Sequence, residues 1–238
     1  MSFFSDISAI QNIVYIFSSI LFISGIKMLG KEDTAVRGNF LSASAMFIAV
    51  AVTIINVVNP VIVLIGVSIG AVIGSLIALR VKMTSIPEMV ALFNGFGGLA
   101  TFFIAWSEFN AIPDNVFQFI VIMLTTYIGG VTFSGSIIAY GKLSEKLKVK
   151  KDSFVTKIFT TFFYASILFL VYSIGFTEII ELPINFYTVL LILTLLGGIG
   201  FVIPIGGGDM PVVISLLNSF SGIAAAFAGL LLLNNVLI

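Results

Sequence analysis

Cysteine and histidine are both missing from this sequence of 238 residues. Their absence excludes disulfides, thiol nucleophiles, iron–sulfur clusters and the usual zinc sites, and it removes the side chain that normally titrates near neutral pH. Charged residues make up only 9% of the chain, against about 25% in soluble domains. The formal net charge is zero, so nothing indicates nucleic acid as a partner. These absences leave little scope for covalent or metal chemistry.

Apolar residues are what the chain has in excess: 59% of it is hydrophobic, and its mean hydropathy is +1.22. A helix needs about 20 apolar residues to cross a bilayer. Runs of that kind cover residues 7–26, 40–58, 60–79, 87–106, 115–140, 158–176, 186–205 and 210–233. No positive charge precedes the first run, so we expect it to remain as a span rather than to be cleaved as a signal peptide. The sequence therefore predicts an all-α polytopic membrane protein with about eight transmembrane helices. We expect residues 1–238 to form a single transmembrane domain with no soluble domain.

The positive charges fall on one predicted face of the membrane. All 11 lysines and arginines follow the first, third or fifth apolar run, whereas the opposite loops contain acidic residues such as Glu108 and Asp114. Cytoplasmic loops hold the excess of positive charge. We therefore predict that both termini lie outside and that spans four and eight run in the same direction.

One apolar stretch occurs twice. Residues 87–103 and 211–227 align with a shift of 124 positions, which superimposes Asn94 on Asn218 and Gly98 on Gly222. We interpret spans four and eight as a parallel internal repeat. Because a side-chain amide is costly in contact with lipid, both asparagines should point into a helix bundle or a wet cavity. Two interpretations of these asparagines are about equally supported: hydrogen bonding between helices, and a role in transport.

Both repeated helices begin with residues that suit a helix N-terminus. Ser85 and Glu88 have the spacing of a capping box, and Asp209 directly precedes Met210 and Pro211. Glu88 is most simply a capping residue. Asp209 follows three consecutive glycines, a flexible stretch that could bend under a docked partner and move span eight.

Span five carries small and polar residues on one face, namely Thr125, Gly129, Thr132 and Ser136. Close helix packing is the simplest interpretation, and the alternative is that this thin polar helix leaves room for a file of water. The glycines that we expect to serve helix packing are Gly98, Gly129, Gly130, Gly135 and Gly222. The chain shows no catalytic triad, paired carboxylates or phosphate-binding loop, so we predict no catalytic, cofactor-binding or metal-binding residue within it.

Three separated stretches resemble one family. They are RVKMTSIPEMVALFNGFGGLA (80–100), VTFSGSIIAYGKL (131–143) and GGGDMPVVISLLNSFSGIAAAFAGLL (206–231). The chain is similar over nearly its whole length to the membrane domain of the beta subunit of proton-translocating nicotinamide nucleotide transhydrogenase. In that family the beta subunit continues through one further span into a cytoplasmic NADP(H)-binding domain. The alpha subunit supplies an NAD(H)-binding domain and further membrane helices.

The resemblance implies that this chain conducts protons in an inner-membrane complex that couples inward proton movement to hydride transfer between NADH and NADP⁺. It implies partnership with the alpha subunit and the NADP(H)-binding domain, a dimer of the whole complex, and no dinucleotide bound by this chain. The resemblance matches Asn218 to the family's conduction-path asparagine. We expect the proton path to include Asn94, Ser215, Thr132 and Ser136 as well. The resemblance also matches Asp209 to the family's cytoplasmic aspartate below the NADP(H) domain. We assign Asp209 to coupling at the cytoplasmic side and add Glu88, at the start of the other repeated helix, as a second candidate.

Asn94 departs from the family pattern, because many relatives have histidine at this position. The resemblance therefore implies that the titrating histidine lies on a partner helix. The sequence leaves two other hypotheses open: an autonomous secondary transporter of a small solute or cation, and a membrane scaffold that conducts nothing.

Overall fold

The computed structural model describes residues 2–55, 57, 59–111, 113, 115–150, 153–175 and 184–233. Over these residues the chain is helical and contains no strand. The helices are α1 (Ser2–Leu29), α2 (Glu32–Ile54), α3 (Pro60–Arg80), α4 (Ile86–Asn110), α5 (Val116–Leu143), α6 (Phe154–Gly175), α7 (Ile184–Val202) and α8 (Met210–Leu231). Short 3-10 turns, Met83–Ser85 and Gly207–Asp209, precede α4 and α8.

The helices agree with the predicted apolar runs. Seven segments of the described chain are long and apolar enough to cross a membrane, and the apolar part of α7, Phe186–Val202, is somewhat shorter. α7 ends at Val202, before the end of the predicted run at residue 205. The reason is Pro204, which offers no backbone N–H and disfavours helical geometry in the residue before it.

The chain divides into two compact units, Met1–Arg80 and Val81–Ile238. In the first unit α1 and α2 pack together. A Cβ atom on Gly38 would lie 2.7 Å from the carbonyl oxygen of Gly25, so the two backbones approach closely there. The Tyr15 hydroxyl is hydrogen-bonded to the Thr53 hydroxyl at 2.9 Å, which joins the middle of α1 to the end of α2. No residue of α3 is buried.

In the second unit α5 is the central helix, since α4, α7 and α8 all pack against it and α6 packs against α7. Two apolar clusters mark the ends of this bundle. The first contains Ala91, Ala139 and Leu217, and the second contains Ala105 and Tyr187. α4 therefore runs from the first cluster to the second, and α5 runs back.

α8 runs in the same direction as α4. Its early residues Met210 and Leu217 belong to the first cluster, and Leu231 near its end packs against the second. The shared direction of α4 and α8 is the one that the sequence predicts. It places the beginnings of both repeated stretches at the same end of the bundle.

The predicted capping hydrogen bonds at these beginnings are not formed. Neither Ser85 nor Asp209 makes a side-chain hydrogen bond to the first turn of its helix. The cause is the 3-10 turn before each helix: Ser85 has φ −99° and ψ 7°, and Asp209 has φ −90° and ψ −2°. Side-chain capping normally requires an extended backbone at this residue. Ser85 and Asp209 therefore occupy the N-cap positions that the sequence indicates, but neither side chain forms the hydrogen bond expected of a cap.

Candidate functional site

Asn94 joins three helices through its side-chain amide. Its Nδ2 donates a hydrogen bond to Ser136 Oγ on α5 at 3.0 Å. Its Oδ1 accepts one from Ser221 Oγ on α8 at 2.6 Å. Ser221 Oγ also lies 2.9 Å from the main-chain oxygen of Asn218. We call Asn94, Ser136 and Ser221 the Asn94 node.

Glycines let the three helices approach closely enough to form the node. A Cβ atom on Gly95, the neighbour of Asn94, would lie 3.1 Å from Ser136 Cβ. One turn further along α4, a Cβ atom on Gly98 would lie 2.9 Å from the carbonyl oxygen of Gly129. The contact at Gly98 and Gly129 fixes α4 on α5, and the absence of a side chain at Gly95 leaves space for Ser136.

Thr132 extends the polar surface of α5 by one turn beyond Ser136. It is fully buried, and its hydroxyl has no hydrogen-bond partner among the described residues. Two other buried hydroxyls of α5 bond to their own helix, Thr125 to the Val121 carbonyl and Ser134 to the Gly130 carbonyl. Thr132 and Ser136 are four positions apart, which corresponds to about 6 Å along the helix axis. Thr132 is thus a buried polar group near the node that a water molecule could satisfy.

Gly130 and Gly135 of α5 face α7, and Gly135 also faces α8. A Cβ atom on Gly130 would lie 2.9 Å from Thr194 Cβ, and one on Gly135 would lie 3.1 Å from Val202 Cγ2. Gly222 differs, because a Cβ atom there would meet no neighbouring atom within 4 Å. The α8 backbone therefore has no close neighbour at Gly222 in the described chain.

Asn218 lies on the exposed side of α8, not inside the helix bundle of this chain. Ser215 and Ser219 are exposed on the same helix. They line a shallow open groove of about 590 Å³ together with Pro211, Val212 and Leu216. We call Ser215, Asn218 and Ser219 the α8 polar face. A transmembrane helix would not present this face to lipid without cost.

The two carboxylates singled out by the sequence lie at the helix beginnings. Glu88 is half-buried in the first turn of α4, and Asp209 is exposed in the 3-10 turn before α8. Within the described ranges, no group of three or more acidic side chains is placed to hold a metal ion.

The chemistry of the node is limited by its residue types. An amide and two hydroxyls can donate and accept hydrogen bonds and can order water, but none of them changes its charge near neutral pH. The node can therefore hold the three helices together and order water, but it cannot itself take up or release a proton near neutral pH.

Sequence reasoning missed Ser221. The repeat alignment pairs Ser221 with Gly97, so the comparison of the two copies directs attention away from it. Helical spacing could have found it, because Ser221 lies three residues after Asn218 and shares a face with it.

A family model and curated relatives both match this chain, and they point to the same protein family. The family model for the NAD(P) transhydrogenase beta subunit matches residues 11–238. Two curated relatives, both NAD(P) transhydrogenase subunit beta from Rhodospirillum rubrum and one of them from a defined strain, are each 34% identical over 236 residues. The match covers 94% of this chain and 50% of each relative. The chain thus spans about half the length of the curated relatives that it matches.

The match extends over nearly the whole described structure and includes all the helices that form the Asn94 node and the α8 polar face. Together with the apolar helices, it also accounts for the multi-pass membrane character of the chain. The chain belongs to the NAD(P) transhydrogenase beta subunit family.

Proposed function

We propose that this chain is the proton-conducting membrane part of a transhydrogenase. It would couple inward proton translocation to hydride transfer between NADH and NADP⁺, carried out by nucleotide-binding domains outside residues 1–238. The observation that carries the proposal is the Asn94 node, a hydrogen-bonded amide shared by three membrane-spanning helices. Polar groups at such depth are retained mainly where ions or protons pass or where helices need a fixed contact.

In this proposal the path has an inner part and a shared part. The inner part runs along α5 through Thr132 and Ser136 to Asn94. The shared part is the α8 polar face with Ser215 and Asn218, where membrane helices of other subunits would complete the path. Exposure of these polar side chains in the described chain supports such a partner.

The proton-carrying group is assigned to a partner helix. The sequence has no histidine, and the node's amide and hydroxyls do not titrate near neutral pH. A histidine from the alpha subunit's membrane helices, packed on the α8 polar face, would supply the exchangeable proton.

Asp209 and Glu88 are assigned to coupling at the cytoplasmic side. Both lie at the end of the bundle where α4 and α8 begin, and Asp209 is exposed there. The NADP(H)-binding domain would dock on this end, so that its motion reaches α8 through the turn that contains Asp209.

We place the chain in the inner membrane, with both of its termini outside, and we expect the whole complex to be a dimer. Dinucleotides would bind only to the other domains.

The test uses the complete complex reconstituted in liposomes with an internal pH dye. Asn94→Leu removes the amide that bonds to Ser136 and Ser221 and that would order water in the path, so we expect the number of protons pumped per NADPH oxidised to fall severalfold. Asn39→Leu is the matched control, because Asn39 is an exposed amide in the first unit. Unchanged pumping in Asn94→Leu would contradict the proposal.

The same liposomes separate the proposal from the transporter hypothesis. This chain reconstituted alone should move no solute or cation at a rate above that of empty liposomes. Saturable uptake without nucleotides or partner chains would favour an autonomous transporter instead.

A further inference from the structure

Lys142, in the last turn of α5, bonds to the end of α7. Its ammonium donates hydrogen bonds to the main-chain oxygens of Val202 at 3.2 Å, Ile203 at 2.6 Å and Ile205. An ammonium has three N–H donors, so all three are used on one neighbouring segment. The side chain is half-buried, unlike that of Lys148 in the following loop, which is 79% exposed.

These acceptors are chemically suited to a cation. The last carbonyls of a helix have no partner within the helix and carry partial negative charge. α7 ends at Val202 because Pro204 follows. Val202 O also accepts a hydrogen bond from the Ile205 N–H at 3.1 Å, and the oxygens of Ile203 and Ile205 lie in the turn just beyond the helix. Lys142, on α5, therefore donates hydrogen bonds to main-chain oxygens at and just beyond the end of a different helix, α7.

The contact joins two regions that the proposed function needs to move together. On one side, Ile205 is followed directly by Gly206 and by the 3-10 turn Gly207–Asp209 that leads into α8. On the other side, Ser136 lies six residues before Lys142, about 9 Å along α5. Three glycines make the backbone of the α7–α8 connection deformable, so its position depends on contacts such as this one.

We propose that Lys142 is a positioning residue that ties the α7–α8 connection to α5, so that movement of the turn containing Asp209 is transmitted to Ser136 and the Asn94 node. The proposal rests on the proposed function for its effect on proton pumping. The physical contact can be tested separately.

The first measurement is hydrogen exchange of the amides in residues 203–209, followed by mass spectrometry on the reconstituted complete complex. Lys142→Met keeps the length of the side chain but removes the donors, so exchange in this segment should become faster. Lys142→Arg keeps the charge and the donors, so exchange should stay close to that of the unchanged chain. Lys148→Met is the matched control, because it removes one positive charge from the loop that directly follows α5.

The second measurement is the number of protons pumped per hydride transferred in liposomes. We expect Lys142→Met to lower this ratio about fivefold, the lower end of the coupling found between distant sites. Lys142→Arg should restore the ratio, and Lys148→Met should leave it unchanged. Rescue by arginine identifies the cationic contact as the cause, since a packing defect would not be repaired by a larger side chain.

Exchange in residues 203–209 that stays unchanged in Lys142→Met would overturn the proposal, because the tie would then not exist in the complex. Faster exchange with an unchanged pumping ratio would overturn the coupling role. If the unchanged complex pumps no protons, the proposed function fails, whereas the exchange measurement still decides whether Lys142 holds the connection.

Discussion

The two copies of the repeated stretch have nearly the same pattern and opposite surroundings. In α4, Asn94 is hydrogen-bonded to two neighbouring helices, and Gly98 lies against the backbone of α5. In α8, Asn218 is exposed, and Gly222 has no close neighbour. Both copies thus carry a helical face of small and polar residues suited to close packing, but among the described residues of the second unit only the copy in α4 is closely packed at these positions.

This difference shows that the spacing of asparagine and glycine makes a helix suited to close packing but does not determine which helix it packs against. α4 uses its face on α5, which follows it directly in the chain. On α8 the corresponding residues of this face, Asn218 and Gly222, are exposed within the second unit. We infer that it serves helices of other subunits, which is why the proposed proton path needs a partner to be complete.

The largest effect should come from filling the packed glycine. Gly98→Val would place a branched side chain where even a Cβ atom lies 2.9 Å from the Gly129 carbonyl oxygen. Overpacking of this kind costs about 1–3 kcal/mol, so we expect a clear loss of unfolding free energy in detergent. Gly222→Val, the matched change in the other copy, should be nearly neutral in the chain alone. Equal losses for both would remove the distinction between the copies.

A smaller effect is expected from the asparagines. Asn94→Leu should lower the unfolding free energy of the isolated chain by about 1 kcal/mol, because two interhelical hydrogen bonds are lost. Asn218→Leu should change it by no more than about 0.5 kcal/mol, as is usual for exposed positions. In the complete complex Asn218→Leu should reduce proton pumping all the same. A larger loss of unfolding free energy for Asn218→Leu in the isolated chain would show that Asn218 has a partner within this chain.

Labelling can sharpen the comparison without changing stability. The chain has no cysteine, so Ser219→Cys and Thr132→Cys each introduce a single thiol. We expect a small maleimide to modify residue 219 in the isolated chain and to modify it more slowly when the other subunits are present. Residue 132 should be protected in both states, because Thr132 is fully buried. Equal modification of residue 219 with and without partners would argue against a covered α8 polar face.

For dinucleotide binding by the isolated chain we expect no effect at all. The purified chain should show no binding of NAD(H) or NADP(H) by calorimetry at micromolar concentrations. The longest loop predicted between spans on the cytoplasmic side, residues 141–157, is too short for a βαβ unit. The complete complex should bind both dinucleotides under the same conditions, and micromolar binding by this chain alone would require a site that neither copy of the repeat explains.

The sequence alone predicted the class of the molecule and the positions of its helices. Apolar runs of about 20 residues can be satisfied in a bilayer only as helices, because every backbone polar group must be bonded internally. Asn94, Thr132 and Ser136 could be selected for the same reason, since polar groups are costly at that depth. The resemblance carried by residues 80–100, 131–143 and 206–231 also predicted the family.

Tertiary structure decided which of these groups meet. Helical periodicity tells which residues share a face, but the direction in which that face points depends on how neighbouring helices pack. In the folded chain Asn94 lies between Ser136 and Ser221, and Asn218 is exposed. Lys142 bonds to carbonyls some 60 residues away in the chain. Contacts between distant segments depend on the assembled bundle, so no local pattern in the sequence could contain them.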